Sequence, residues 1–254
     1  MILGWLAISD GLTSLAVALA GLLLAGAGVL APFTGFQIFL IGFLLSVGSV
    51  LFGLVVMFLG RRKGSKPAQN RGLAGALLGA MVAVPVLWII FSSAKYPGIN
   101  DITTDYENPP EFVYAAALEP NRARDMKYDK PKYADAQTRG YGDPAPLVLG
   151  ARPELVFEQV KLVAAGMPDW QITHTDPATL TLEGVSTSAR FRFQDDVIVV
   201  VRPTMDGKSQ VHMRSKSRDG IGDLGVNHKR IQDFKDKLAS ASKTAEPPTP
   251  PAAP

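Results

Sequence analysis

Hydrophobic residues form two long runs in the first third of the chain. No ionisable side chain occurs in the 50 residues 11–60 or in the second run, 72–94. A helix crosses a hydrocarbon core of about 30 Å with roughly 20 residues, so the first run is long enough to cross twice. Pro32, Thr34 and Gly35 provide a turn signal between the two crossings. The pattern predicts three transmembrane helices over 11–31, 36–60 and 72–94.

Small residues four positions apart recur in these spans, which is typical of helix faces that approach closely in lipid. The pairs are Gly21 and Ala25, Gly42 and Ser46, Ser49 and Gly53, and Gly75 and Gly79. A conduction path would need polar groups that face one another, but Asp10 and Gln37 both lie near the ends of the predicted spans. The pattern favours anchoring or helix association.

The pattern changes after residue 94. Residues 95–147 are rich in proline, aspartate and tyrosine without a sustained period, which indicates irregular structure with short pieces of helix or strand. A helix is predicted from Pro153 to Gly166, because proline suits the first helical turn and glycine the end. Its predicted buried stripe consists of Val156, Val160, Val163 and Met167.

A period of two follows and predicts strands. The strand positions are Trp170, Ile172 and His174, then Leu180 and Leu182, then Phe191 and Phe193. Residues 197–201 are apolar on both faces and predict a central strand. Asp206 and Gly207 signal a hairpin into a strand over 210–217, and a last helix is predicted over about 224–239. The order predicts an α+β domain whose antiparallel sheet is covered on one face by helices.

These elements predict three regions. Residues 1–94 form a three-helix transmembrane unit, and its loop 61–71 is cytoplasmic. Residues 95–240 form an extracytoplasmic α+β domain. The proline-rich residues 241–254 have too little apolar surface to fold and are predicted to be a disordered tail.

The positive charge is concentrated in one place. The formal net charge is +3, but residues 61–71 contain five basic and no acidic residues, whereas 95–254 contain 21 basic and 22 acidic residues. A nucleic-acid partner is therefore not expected, because the folded domain has no excess of positive charge.

The basic loop predicts the orientation in the membrane. Lysine and arginine between closely spaced helices are retained on the cytoplasmic side. The amino terminus is then cytoplasmic, and the α+β domain is periplasmic in a multi-pass protein of the plasma (inner) membrane. The first span is predicted to be retained, because its start lacks the positive region of a signal peptide.

The densest polar segment, residues 214–231, joins the last strand to the last helix and holds the candidate ligand-binding residues. These are Arg214, Ser217, Arg218, Asp223, Asn227 and Arg230. An anion could bind at the helix amino terminus, where the arginines add fork-shaped donors. In the structural alternative Asp223 caps the helix, Arg218 pairs with Asp223 or Asp101, and Asn227 lies buried on the apolar stripe.

Strand alternation gives a second candidate surface. His212, Arg214, Lys216 and Arg218 share one face of the last strand, and Arg190 and Arg192 flank Phe191 in the same sense. Such a face could meet anionic headgroups or an acidic partner. It could equally be an ordinary solvent-exposed face.

Signals for catalysis are weak. The three histidines lack the spacing of metal ligands, and the sequence contains no GxSxG, Walker or dinucleotide motif, so neither a metal nor a cofactor is predicted. Asp195 and Asp196 are interpreted as turn residues. The chain has no cysteine, which excludes disulfides and thiolate chemistry.

Several segments together resemble a known family. They are residues 98–105 (GINDITTD), Pro109-Pro110 with Phe112, Phe191-Arg-Phe193 with Asp195-Asp196-Val197, and residues 214–231 (RSKSRDGIGDLGVNHKRI). Over about residues 98–240 the chain resembles the bacterial, membrane-attached family catalogued as domain of unknown function 1499. The resemblance implies an envelope-facing domain and brings no established activity, so it assigns no catalytic residue.

The sequence thus predicts an integral membrane protein that presents a non-catalytic binding or interaction domain in the cell envelope. Its expected partners are the lipid bilayer and an envelope protein or anionic envelope molecule. One alternative is an envelope hydrolase or transferase with a polar site around Asp223, Asn227 and Arg218. The other is an accessory subunit of a membrane transport or assembly complex.

Overall fold

The computed structural model describes residues 2–245 and divides into two compact units. The first unit contains the residues up to Ala94 together with Ser188–Phe193. The second contains Lys95–Thr187 and the chain from Gln194 onward.

The first unit contains three helices that are long and apolar enough to cross a membrane. They are α1 (Ile2–Gly26), α2 (Pro32–Arg62) and α3 (Lys66–Ser93). The predicted number and order of spans are confirmed, and the chain has the helices of a membrane protein.

The predicted boundaries of the first two helices were wrong. Helix α1 begins at Ile2 and continues through Asp10, since one carboxylate does not interrupt the hydrogen bonds of a helix backbone. The turn lies before Pro32, which is the first residue of α2, a position where its missing N–H group costs nothing. Gly28, at a φ of +74°, supplies the left-handed conformation that ends α1.

The basic segment 61–71 is mostly helical rather than a loop. Helices α2 and α3 leave only residues 63–65 between them, and Gly64 makes the turn at a φ of +68°. Four of the five basic residues therefore lie on the last turn of α2 or the first turns of α3.

The small residues form the contacts between the helices, as predicted. All eight members of the four pairs are buried. A Cβ atom on Gly75 would lie 2.3 Å from the Ala7 carbonyl oxygen, and one on Gly53 would lie 2.5 Å from the Ala76 nitrogen. Backbone approach this close is possible only where no side chain intervenes.

The second unit is an α+β domain with an antiparallel sheet. Its strands are β1 (Asp101–Thr103), β2 (Leu147–Leu149), β3 (Trp170–Asp176), β4 (Thr181–Thr187), β5 (Gln194–Pro203) and β6 (Ser209–Ser217). The order is β1-β6-β5-β4-β3, and β2 also pairs with β6. Its helices are α4 (Tyr114–Ala117), α5 (Lys130–Tyr141), α6 (Pro153–Ala165) and α7 (Val226–Ala245).

Helices α6 and α7 cover one face of the sheet, here called the helix face. Val156 and Val160 of α6 and Phe234 of α7 belong to the same buried core as Val199 of β5 and Met213 of β6. A smaller apolar cluster lies on the opposite face, where Phe112, Ala115 and Met126 pack against Ile198. The segment between β1 and α5 therefore covers part of this second face.

Most predicted elements of the domain are confirmed. Helix α6 runs from Pro153 to Gly166, its carboxyl-terminal cap, and strand β5 lies between β4 and β6 as the predicted central strand. The turn at Gly207, with a φ of +78°, connects β5 to β6.

Several predictions for the domain were wrong. Leu180 lies in the turn between β3 and β4, at a φ of +50°, and not in a strand. Phe191 and Phe193 lie in the connection between β4 and β5, not in a strand. The sequence pattern missed helix α5, whose buried residues include the polar Gln137. Helix α7 begins at Val226 rather than Leu224, because Leu224 and Gly225 have φ values of +55° and +87°, which no helix accommodates.

Helix α7 also extends to Ala245, beyond its predicted end. The predicted disordered tail, 241–254, thus begins with helical residues. Its remainder, 246–254, lies outside the described residues.

Candidate functional site

The six predicted ligand-binding residues do not converge on one cavity. The pleat of the sheet places Ser217 on the helix face with Asn227 and Arg230, whereas Arg214 points to the opposite face. The polar residues instead form two buried clusters, one on each face of the central strands β5 and β6.

Asn227 organises the cluster on the helix face, and its side chain is 0% exposed. Its Oδ1 accepts a hydrogen bond from Ser215 Oγ at 2.6 Å. Its Nδ2 donates to Ser217 Oγ at 2.9 Å and to the Asn100 carbonyl at 3.3 Å. The amide is thus bound by the chain itself, as the structural interpretation of this residue requires.

Arg230 and Asp195 complete this cluster. Arg230 Nη2 donates to Asp195 Oδ2 at 2.6 Å, and Nη1 donates to Ser215 Oγ at 2.9 Å. Arg230 of α7 is buried, and the carboxylate of Asp195 in β5 neutralises its charge. The guanidinium group of Arg230 therefore has an acidic partner within the protein and does not need an anionic ligand.

Asp223 occupies the position where an anion would bind at the start of α7. Its Oδ1 accepts from the Gly225 N–H at 2.9 Å and its Oδ2 from the Asn227 N–H at 2.7 Å. Burial raises the pKa of Asp223, although the same two backbone hydrogen bonds act to lower it. The carboxylate caps the helix in the way predicted for the structural alternative.

Arg218 pairs with Asp196, not with Asp223 or Asp101 as its sequence position suggested. Its Nη2 and Nε lie 2.7 and 3.1 Å from Asp196 Oδ1, and its Nη1 donates to Gln194 Oε1 at 2.6 Å. Asp196 also receives a hydrogen bond from Arg124 Nη1 at 3.0 Å. One fully buried carboxylate thus holds two arginines.

The part of the face around Arg214 is buried, which corrects the prediction that this face is an exposed basic surface. Arg214 and Asp101 are both 0% exposed. Arg214 donates from Nε and Nη2 to the two Asp101 oxygens at 2.8 and 2.7 Å, and Lys216 Nζ donates to Oδ2 at 2.8 Å. The rings of Phe112 and Tyr128 lie 5.0 and 5.4 Å from the guanidinium carbon.

Sequence reasoning missed the acidic half of these clusters. Asp195 and Asp196 were interpreted as turn residues, but both belong to β5, which places one on each face of the sheet. The signal was present, because two adjacent acids precede the apolar run 197–201 and strand alternation separates their side chains. Asp101 gave no such signal, since its partners are 113 and 115 residues away in sequence.

A groove of about 580 Å³ lies elsewhere on the face opposite α6 and α7. Residues 107–111 and Val113 form one side, and positions on β3, β4, β5 and the β3–β4 turn form the rest. Apolar side chains of Ile198 and Val200 line it together with four carboxylates, which are those of Glu107, Glu111, Asp176 and Glu183. Arg202 and His174 are the basic and imidazole side chains among its lining residues.

Glu183 gives one end of the groove a fixed structure. This buried carboxylate accepts hydrogen bonds from the backbone N–H groups of Val113, Tyr114 and Ala115 at 3.0, 3.0 and 2.7 Å. The ring of His174 stacks on Tyr114 at 4.8 Å. Within residues 2–245, no group of three or more His, Cys, Asp or Glu side chains is arranged to hold a metal ion.

The family comparison covers both clusters. Residues 101–238, more than half of the chain, match the family model described as a protein of unknown function, DUF1499. The chain belongs to the DUF1499 family. The matched DUF1499 region runs from Asp101 of the buried ion pair to Leu238 within α7, and includes the groove. A search of curated proteins found no match.

Proposed function

We propose that this protein is an inner-membrane protein whose α+β domain lies on the outer side of the membrane and binds a partner without changing it chemically. The basic residues around the α2–α3 turn support this orientation, because such residues are retained in the cytoplasm. An odd number of crossings then carries the chain after α3 to the opposite side.

The proposal that the domain is not catalytic rests on the pairing of the candidate cations with carboxylates of the chain. Arg214, Arg218 and Arg230 each donate to a buried carboxylate of the chain, and Asp223 caps α7. A hydrolase or transferase would need some of these groups directed at a substrate. Here these hydrogen bonds connect β1, β5, β6 and α7.

The groove is the surface we propose for the partner. Three of its carboxylates, Glu107, Glu111 and Asp176, are not buried. They disfavour the anionic envelope molecule considered from sequence and favour a protein segment with basic side chains. The third class, an accessory subunit that docks through small-residue helix faces, loses its main support. Those faces are already buried between α1, α2 and α3.

The orientation is tested with alkaline phosphatase fusions, since this enzyme is active only after export. A fusion after the last residue should be active, and a fusion after Ser65, in the α2–α3 turn, should be inactive. The reverse pattern would contradict the proposed orientation.

The groove is tested in cells by placing a photo-crosslinking amino acid at Glu111, which is exposed on its rim. Discrete protein adducts are expected from this position. The matched control is Met205, fully exposed in the β5–β6 turn, which should give none of these adducts. Identical adducts from both positions would show that the groove is not the site.

The ligand-site alternative is tested by native mass spectrometry of the full-length protein in detergent. Arg230→Gln and Arg218→Gln should lower the melting temperature and leave the bound molecules unchanged. Loss of a bound molecule at an unchanged melting temperature would assign a ligand role to these arginines and contradict the structural one.

A further inference from the structure

The connection between β4 and β5, residues 188–193, belongs to the membrane unit. It forms a closed loop, in which the Ser188 N–H donates to the Phe193 carbonyl at 2.8 Å and the Arg192 N–H donates to the Ser188 carbonyl at 3.0 Å. Arg192 has a φ of +61°, a conformation that a non-glycine residue adopts at some cost. The loop therefore keeps Arg192 in an unfavourable backbone conformation, which the surrounding contacts must stabilise.

Two phenylalanines of this loop pack on the first turns of α2. The Phe191 ring centre lies 5.6 Å from that of Phe36 and 5.4 Å from that of Phe39. Phe193 lies 5.9 Å from Phe36. All three contacts are edge-to-face, the arrangement that aromatic pairs prefer.

The position of these rings along α2 places them at the membrane surface. Phe36 precedes Arg61 by 25 residues, which corresponds to roughly 37 Å of helix. A bilayer is about 30 Å thick in its hydrocarbon core and about 40–45 Å with its headgroup regions. If Arg61 lies at one surface, Phe36 and the loop lie at headgroup level in the other leaflet.

Aromatic residues of α3 also indicate that this end of the bundle lies at the headgroup level. Trp88 and Phe91, near the end of α3, are 71% and 75% exposed. Tryptophan concentrates at the boundary between lipid and water, because its ring is amphipathic. The end of the bundle near the loop thus has the composition of a membrane interface.

The loop also presents two cations. Arg190 and Arg192 are exposed and flank Phe191. Neither forms an ion pair with any carboxylate in residues 2–245, in contrast to Arg214, Arg218 and Arg230. A Cβ atom on Gly28, in the α1–α2 turn, would lie 3.8 Å from Arg192 Nε, so this guanidinium lies next to the ends of the membrane helices.

We propose that residues 188–193 form a membrane-interface loop in which Arg190 and Arg192 bind the phosphate groups of phospholipid headgroups. Phe191 and Phe193 fix the loop on α2, and the two guanidinium groups reach the headgroups of the lipids beside α2. Guanidinium matches phosphate with two parallel hydrogen bonds, and the charge favours anionic lipids further. The proposal rests on membrane insertion of the three helices but not on their orientation or on the groove.

The level of the loop is tested by site-directed labelling, which the absence of cysteine makes simple. Ala189→Cys and, as the matched control, Met205→Cys place one spin label in each of two exposed connections of the same sheet. The full-length protein is reconstituted in vesicles of phosphatidylcholine and phosphatidylglycerol. Relaxation by a lipid-attached nickel chelate should be stronger at position 189 than at 205, which lies at the other end of β5, and equal relaxation at both would overturn the proposal.

The arginine contacts are tested by titrating the detergent-solubilised full-length protein with phosphatidylglycerol and following bound lipid by native mass spectrometry. Each basic residue near an anionic surface contributes roughly a fivefold gain, so Arg190→Gln with Arg192→Gln should weaken binding on the order of 30-fold. The control removes the exposed cations Arg122 and Lys127 in the same way and should leave binding unchanged.

Unchanged binding in the loop variant, or an equal loss in the control, would overturn the arginine assignment. Melting temperatures of both variants show whether the fold is retained. If the loop variant does not fold, Arg190→Lys with Arg192→Lys should retain the charge but lose part of the phosphate preference. Vesicles present both leaflets and detergent presents none, so a wrong orientation in the cell would not affect either result.

Discussion

At the level of single residues, the domain is characterised by buried carboxylates that each hold several donors. Asp101 binds Arg214 and Lys216, and Asp196 binds Arg124 and Arg218. Removing one member of a buried ion pair costs far more than the pair contributes, because the remaining charge has no partner. These residues therefore determine which substitutions the domain tolerates.

Asp101→Asn should be strongly destabilising, because it leaves Arg214 and Lys216 buried beside a neutral amide. We expect the free energy of unfolding to fall by about 3–5 kcal/mol. Thermal unfolding of the full-length protein in detergent measures this change. Asp206→Asn removes an exposed partner of Lys208 and should leave the melting temperature nearly unchanged; a similar loss in both variants would contradict the argument.

His212 should make the domain sensitive to mild acid. Burial, with a smaller contribution from Arg202, lowers the pKa of His212 from 6.5 to about 4, and Asp105, 3.6 Å from Nδ1, opposes the shift. Between these values the unfolded chain binds the proton and the folded domain does not. Stability is therefore complete above about pH 6.5 and falls as the pH drops towards 4, by at most about 3 kcal/mol.

Melting temperatures of the protein and of His212→Gln, measured between pH 7 and 4, test whether stability falls with falling pH because of His212. The variant should lose the part of this dependence that His212 causes and keep the part from His228, whose pKa burial also lowers. Burial raises the pKa of Asp223, which acts in the opposite direction at the acidic end, so the comparison is between the two slopes. Equal slopes would exclude His212 as the group responsible.

At the level of elements, the three membrane helices pack through glycine, alanine and serine. Lipid tails are as apolar as leucine, so helices in a bilayer associate by close packing rather than by the hydrophobic effect. Gly75 approaches the backbone of α1 at Ala7, and Gly53 approaches α3 at Ala76. The same residue type at another position can have no packing role at all, and Gly48 is such a case.

Gly75→Ala should weaken the bundle by about 1–3 kcal/mol, since the new methyl group would overlap the Ala7 carbonyl oxygen. Gly48→Ala makes the identical chemical change at an exposed site with no atom within 4 Å. It should be neutral or slightly stabilising, because alanine favours the helix. Unfolding in detergent compares the two variants, and equal effects would show that close approach is not what matters.

At the level of the whole molecule, the chain combines a membrane unit with an α+β domain of the DUF1499 family. Three helices with exposed leucine, isoleucine and phenylalanine side chains need lipid as their solvent. The protein should therefore behave as an integral membrane protein in any extraction.

Washing membranes with alkaline carbonate should leave the full-length protein in the pellet, whereas mild detergent should release it. Removing residues 1–94 takes away all three helices, so alkaline carbonate should release this truncated chain from any peripheral contact with lipid. Release of the full-length protein by carbonate alone would contradict membrane insertion.

The sequence by itself determined what depends on local periodicity. Charge-free runs of the right length predicted the three membrane helices, and alternation with turn residues predicted helix α6, the central strand β5 and the Gly207 turn. The cap formed by Asp223 was also predictable, because its hydrogen bonds run to residues two and four positions away.

Only the tertiary structure decided the partners of the charged residues. The arginines of 214–231 suggested an anion site or a basic surface, but carboxylates distant in sequence occupy them: Asp101 lies 113 positions before Arg214, and Asp195 lies 35 before Arg230. Helix α5 was missed for a related reason. Its buried face includes the polar Gln137, whose amide forms hydrogen bonds with the backbone of Thr103 in β1, so the helix has no clear apolar stripe. Long-range pairing leaves no period along the chain, so these charges and amides show their role only once the sheet brings their partners together.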